Sequence, residues 1–171
     1  MKNHSNHIPL SHLNHPSHQT KPPATTTTTT MLPTIHQPQN LTQTLSTIDS
    51  TWKPQHLLTL NGSHSLKLAK IHGDFIWHSH LDTDELFYCV SGGPLSIDIH
   101  TSAASAEEAE KAGAEETVQL RVGDVFCVPR RVQHRPRAGV ETGILMVEKV
   151  GTVNTGDREG DRRTVRVDER M

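Results

Sequence analysis

A succession of short apolar runs, each closed by a turn signal, most limits what this chain can fold into. The runs are Leu57–Leu60, Leu66–Ile71, Phe75–His80, Leu86–Val90 and Leu95–His100, then Thr117–Val122, Asp124–Val128, Val132–Arg135 and Gly143–Val150. A last one is expected at Thr164–Val167. Asn61-Gly62, Gly92-Gly93 and Gly123-Asp124 supply turn chemistry between them. Many short strands, frequent turns and little helix predict an all-β antiparallel sandwich or barrel. Only Leu41 to Trp52 reads as a helix, with Leu41, Leu45 and Ile48 at helical spacing and Pro54 to stop it. Ser102 to Glu116, rich in alanine and glutamate, reads as a helical or disordered insertion facing solvent.

The first forty residues follow different rules. They hold six of the thirteen histidines, the threonine run Thr25–Thr30, several prolines and no acid. Such a segment cannot bury enough apolar surface to offset its ordering entropy, so residues 1–40 are expected to be a disordered tail and 41–171 the domain. Met31 offers a second start. The tail has no arginine and is interrupted by proline, which argues against a mitochondrial presequence. Nor does a continuous apolar stretch near Met1 suggest a secretory signal. No run approaches membrane-spanning length. A formal charge of −2 supplies no field for nucleic acid or an anionic membrane. The two cysteines, Cys89 and Cys127, lie in apolar runs and read as reduced core thiols, which gives a cytoplasmic address by default.

The chemistry concentrates around Trp77-His78-Ser79-His80. On extended backbone alternate side chains share a face, so His78 and His80 point the same way, roughly 6.5 Å apart along the chain. Leu81 to Asp84 reads as a turn, and an antiparallel neighbour opening at Glu85 would return its carboxylate to the two imidazoles. His134, just past the run ending at Pro129, is the fourth candidate. An isolated His-x-His pair is usually an ordinary solvated one. Here it sits among Phe75, Ile76, Trp77, Leu86 and Phe87, where burying polar groups is costly unless something coordinates or hydrogen-bonds them. Three imidazoles and one carboxylate suit a divalent first-row metal. Octahedral geometry would leave two positions open, the mark of a working rather than a structural site.

Gly73 to Gly93 resembles the first cupin motif: glycine, a short strand, His-x-His, four residues, glutamate, six residues, glycine. Gly123 to His134 resembles the second: glycine, five residues, proline, then histidine five positions on. "GDFIWHSHLDTDELFYCVSGG … GDVFCVPRRVQHRPRAG … GTVNTGD" is similar to small single-domain cupins, mannose-6-phosphate-isomerase-like barrels. The resemblance implies a double-stranded β-helix (jelly-roll) barrel with metal ligands at His78, His80, Glu85 and His134. Three positions depart from it: four residues rather than five separate Gly73 from His78, Arg131 replaces a glycine, and Ala138 replaces an asparagine. None is a ligand, although arginine tolerates the positive φ of that turn poorly.

The resemblance extends to cupin-domain oxidoreductases of fungal polyketide pathways. The leading expectation is therefore a metal-dependent oxidoreductase, with Fe(II) favoured over Mn, Ni, Cu or Zn. Its substrate would be a small organic molecule and Glu85 the proton-transfer residue. A sugar-phosphate-type isomerase and a non-catalytic ligand-binding barrel are the alternatives. Arg130, Arg131, Arg135 and Arg137 read as a solvated basic rim, Arg135 opposite His134. Asp82 and Asp84 read as turn residues. Trp77 and Tyr88 should face away from the metal and pack, at a homodimer contact. Asn154 falls in a stretch the resemblance highlights, with no role that the residues themselves supply.

Overall fold

The computed structural model describes residues 37–158 and 160–167. The expected disordered tail, its histidines and the Met31 start lie outside them, apart from residues 37–40. From Gln37 onward the chain forms one compact unit. Its element order is α1 (Leu41–Thr47), β1 (Gln55–Leu60), β2 (His64–Asp74), β3 (Glu85–Ser91), β4 (Leu95–His100), α2 (Ala106–Ala112), β5 (Glu116–Leu120), β6 (Val125–Val128) and β7 (Gln133–Lys149).

All strand pairs are antiparallel, in the order β1-β2-β7-β3-β6, with β4 bridging β5 and β7. The 17-residue β7 holds the barrel together. Its first third pairs with β4 (Ile99↔His134, Leu95↔Ala138). Its last half lies between β2 (Leu68↔Leu145) and β3 (Phe87↔Met146). The expected strands Val132–Arg135 and Gly143–Val150 are thus two ends of one strand, which passes from one face of the barrel to the other at a register shift opposite Ile71/Gly73.

Strand alternation sorts the side chains. Ala69, Ile71, Phe87, Cys89, Leu95, Ile97, Ile99, Ile144 and Met146 fill the barrel as one buried cluster. The outer face of β2 is covered as well: Leu68 packs with Leu45, Ile48 and Leu57 beneath α1. Asn40 caps α1 through its side chain, and the helix ends at Ile48 rather than running on to Trp52. The expected insertion contains α2, capped by Ser105. It is not merely a solvated face, because Ala106 and Ala109 are buried against Trp77.

Three other expectations change. Phe75–His80 is extended but joins no strand, being tied to β7 by Phe75 N–H to Pro136 O and by a reciprocal pair between His78 and His134. Thr164–Val167 has no strand partner among the described residues; Asn154 holds it instead. Of the two thiols, both free, Cys89 is a core residue but Cys127 is exposed, because β6 is an edge with one face open to solvent. The turn signals behave as expected, with Asn61 and Gly62 both at positive φ (54° and 65°). Arg131 does adopt the left-handed turn (φ 67°). Its N–H donates to His80 O at 2.8 Å and its Nε to Leu81 O. No helix among the described residues is long and apolar enough to cross a membrane.

Candidate metal centre

The four expected ligands arrive from three places. His78 and His80 come from the extended segment before the turn, Glu85 is the first residue of β3, and His134 is the second residue of β7. The reciprocal hydrogen bonds of His78 and His134, N···O 3.1 and 2.9 Å, fix their backbones side by side. Alternation then turns both imidazoles inward together with His80. One ligand atom from each of the four lies within 4.8 Å of every other, and all four residues are buried. Glu85 Oε2 stands 3.1 Å from His80 Nε2 and 3.0 Å from His134 Nε2. The His78 and His134 rings lie 4.2 Å apart, centroid to centroid.

The donor set fits a cation. Nδ1 of His78 faces Ile76 O and Nδ1 of His134 faces Val132 O, each at 3.0 Å. A carbonyl can only accept, so each Nδ1 carries a proton, and in the neutral imidazole each Nε2 then turns a lone pair inward. In that form His134 Nε2 meets the Glu85 carboxylate as a second acceptor, so their 3.0 Å contact requires a proton or a cation between them. The charges in the cluster are perturbed unequally: His78 and Glu85 move towards the forms that ligate a cation, His80 towards its imidazolium. Burial, aided by repulsion from His134 and His80, holds the His78 imidazolium well below its ordinary range. Burial opposes ionisation of Glu85, but the His80 and His134 imidazoles outweigh it and hold the carboxyl well below the usual value. Burial likewise works against His80, and the Glu85 carboxylate overcomes it and raises its pKa.

A polar clamp behind the histidines comes from residues the sequence reading passed over. Asp157 accepts from Ser79 N–H (2.8 Å), from Ser79 Oγ (3.1 Å) and from Gln133 Nε2 (2.9 Å), and its own N–H donates to Ser79 O. It thereby fixes both the residue between His78 and His80 and the residue before His134. Gly156, at φ +50°, allows this approach, since a Cβ there would meet Ser79 O at 2.1 Å. Asn154 acquires a role: its Oδ1 accepts from Val165 N–H and its Nδ2 donates to Arg163 O, pinning the following segment. The Gly156-Asp157 pair at the end of "GTVNTGD" was the available signal.

The other candidates stand away from the ligand atoms. Arg135 projects opposite His134 as expected. It is not free in solvent, because Arg135 and Arg137 both bind the buried Asp98 carboxylate at 2.8–3.2 Å. Asp84 accepts from Arg130 N–H and Asp82 pairs with Lys149, so both aspartates secure turns. Trp77 points away from the centre but is buried under α2, with the Arg135 guanidinium 5.2 Å from its ring. It offers no outer face to a second chain. Tyr88 is half-buried on the outside of β3.

Beside His78 and Glu85 opens a narrow cleft of ≈ 30 Å³. Apolar side chains make most of its wall, among them Trp52, Ile71, Phe75, Ile144 and Met146, while His78, Glu85, Glu148 and Asn154 supply the polar part. Trp52 and Phe75 are stacked, 4.8 Å apart and 23° from parallel.

No family model matches the chain. It is 34% identical over 85 residues, half of its own length, to the uncharacterized protein YdbB of Bacillus subtilis (strain 168), and spans 63% of that protein. A cupin-2 domain protein from Shewanella frigidimarina superposes with a TM-score of 0.52 at 27% identity, covering 64% of this chain and 92% of that one. A hydroquinone 1,2-dioxygenase in complex with Fe3+ has the same fold, with a TM-score of 0.53 at 17% identity over 69% of this chain and 36% of its own. Topology and these likenesses together show that the chain carries a cupin domain.

Proposed function

We propose that His78, His80, Glu85 and His134 hold one divalent first-row metal, iron(II) by preference, and that the domain is an oxidoreductase for a small aromatic substrate. The observation that carries this reading is the convergence of four buried ligand atoms, two of whose residues, His78 and Glu85, line a cleft walled by aromatic and aliphatic side chains. An ion held by this set supplies Lewis acidity and one-electron chemistry with dioxygen. The likeness of fold to an iron-bearing hydroquinone dioxygenase supports the choice of metal and of substrate class.

The chain's own residues do the rest. Stacked Trp52 and Phe75 offer a planar surface for a ring, and the apolar walls exclude water from the reacting face. Glu85 is the one carboxylate among the ligands, so it is the group placed to hold a substrate proton. Asp157, through Ser79 and Gln133, keeps the histidines in register. The domain is assigned to the cytoplasm, and as a homodimer.

Dioxygen uptake by the iron-loaded protein with hydroquinones and aromatic alcohols tests the activity. Glu85→Gln should keep the fold and much of the metal while turnover falls about a hundredfold or more. Turnover with zinc in the absence of dioxygen would point to an isomerase instead, and ligand binding without any turnover to a simple receptor.

A further inference from the structure

The cleft beside His78 and Glu85 holds ≈ 30 Å³, room for a water molecule or a diatomic gas. A cavity that takes a benzene ring is roughly 150 Å³. Of the residues lining the cleft, only Trp52, Pro54 and Asn154 reach solvent, and the others are buried. Glu148 offers no second way in, being 3% exposed and paired at 2.9 Å with buried Lys67. The passage from solvent therefore runs past those three side chains. Two of them are fixed: Asn154 is bonded through both side-chain polar atoms to Arg163 and Val165, and the ring of Pro54 has no free rotor.

Trp52 is held differently. Its indole rests on Phe75, with ring centroids 4.8 Å apart, and its Nε1 donates to His72 O at 2.9 Å. Its backbone is tied to β2 by Trp52 N–H to Lys70 O at 2.8 Å. The residue has φ 62°, in the left-handed region that a bulky side chain rarely adopts. Such strain persists only where surrounding contacts enforce it, and it is released when they let go. Loss of the stack and of one hydrogen bond is thus partly offset, which brings a closed and an open state close together in free energy.

We infer that Trp52 is the gate of the cleft and sets which molecules reach the metal centre. Closed on Phe75, it passes only molecules the size of water or dioxygen. Swung outward, it clears a path for a flat ring, which can then lie against the face of Phe75. This rests on the proposed function in taking the cleft as the route to the metal.

Thiol labelling reads the gate without a known substrate. Ile71 lines the cleft and is 1% exposed, so Ile71→Cys places a reporter inside, in a chain whose exposed thiol is removed by Cys127→Ser. Buried Cys89 stays as the internal gauge of global unfolding. The reagent is dithiodipyridine, a neutral aromatic disulfide. The thiol at position 71 should react faster than Cys89, because the gate opens without the fold. A minor open state is populated at about 0.1–10%, so Trp52→Ala, which removes the cover, should speed labelling at position 71 about tenfold or more. Cys89 should keep its rate, and Trp52→Phe, which retains a ring on Phe75, should stay close to the parent. A position-71 thiol that reacts no faster than Cys89, or that ignores Trp52→Ala, overturns the gate. So does acceleration of both thiols together, which would make Trp52 a packing residue. Dioxygen uptake separates this from the proposed function. Gated labelling without uptake on any aromatic removes the oxidoreductase and leaves the gate, whereas uptake with labelling indifferent to Trp52 removes only the gate.

Discussion

At the scale of single residues, the centre divides into side chains that touch the ion's place and side chains that hold them there. His78, His80, Glu85 and His134 were legible because imidazole and carboxylate in that spacing, inside an apolar stretch, have few other uses. Asp157 was not, because it lies far along the chain and reads locally as a turn residue. Lys67 and Glu148 were hidden for another reason. Charged residues in alternating strands are ordinarily assigned to the outer face, and only the β2–β7 register shows both to be inside. Residues behind metal ligands commonly matter 10–100-fold in affinity. Asp157→Ala is therefore expected to weaken metal binding by about that factor, with the fold intact, in competition against a chromophoric chelator. In the same assay His78→Ala and His134→Ala should lose most of the metal. His64→Ala and His100→Ala, whose imidazoles bond Ser63 and Glu115 elsewhere, should not. Retention of wild-type affinity by Asp157→Ala would reduce the clamp to a packing detail.

Among the elements, α2 differs most from its appearance in the sequence. Alanine and glutamate without an apolar stripe suggest a solvated insertion, yet small residues are what a helix needs to lie close against a large ring. Ala106 and Ala109 are almost fully buried on Trp77, which is itself 1% exposed. The strand runs were legible for the complementary reason, since period-2 alternation is strong wherever one face is buried. Phe75–His80 misled because an extended, apolar segment looks like a strand even where only Phe75 and His78 bond to a strand through their backbones. Likewise Pro136 and Gly139 in β7 look like breaks, although the strand bends through them. Removing Trp77 should cost about 3–5 kcal/mol, the usual range for a buried aromatic cut to alanine. Urea denaturation of Trp77→Ala measures this, and cleavage by trypsin at Lys111 should accelerate as α2 loosens. A loss below about 1 kcal/mol would mean that α2 is only loosely seated.

Over the whole molecule, two features follow from how the barrel is closed. β6 is an edge, and its outer face pairs exposed Val125 with half-buried Tyr88. This is the apolar surface suited to a second copy, now that Trp77 is accounted for inside. Light scattering at micromolar concentration should give a dimer, and Val125→Arg a monomer. The other feature is Asp98, whose carboxylate lies behind β4 and gathers Arg135 and Arg137 from β7 and Thr117 from β5, tying three strands. Burial alone would raise its pKa, but hydrogen bonds from Arg137, Arg135 and Thr117 outweigh it and hold the carboxyl below the ordinary value. A carboxyl depressed in the folded state contributes stability that is present above its unfolded pKa of about 3.9 and is lost as pH falls through the folded value. Asp98→Asn keeps the shape and removes the charge that the two guanidiniums need. Its cost should be about 2 kcal/mol, since both arginines retain access to water. That difference from wild type should be constant above roughly pH 5, then shrink as wild-type Asp98 itself becomes protonated. Urea unfolding of both proteins from pH 7 to 3 provides the comparison. A gap that widened in acid would mean that Asp98 is not held ionised by its arginines.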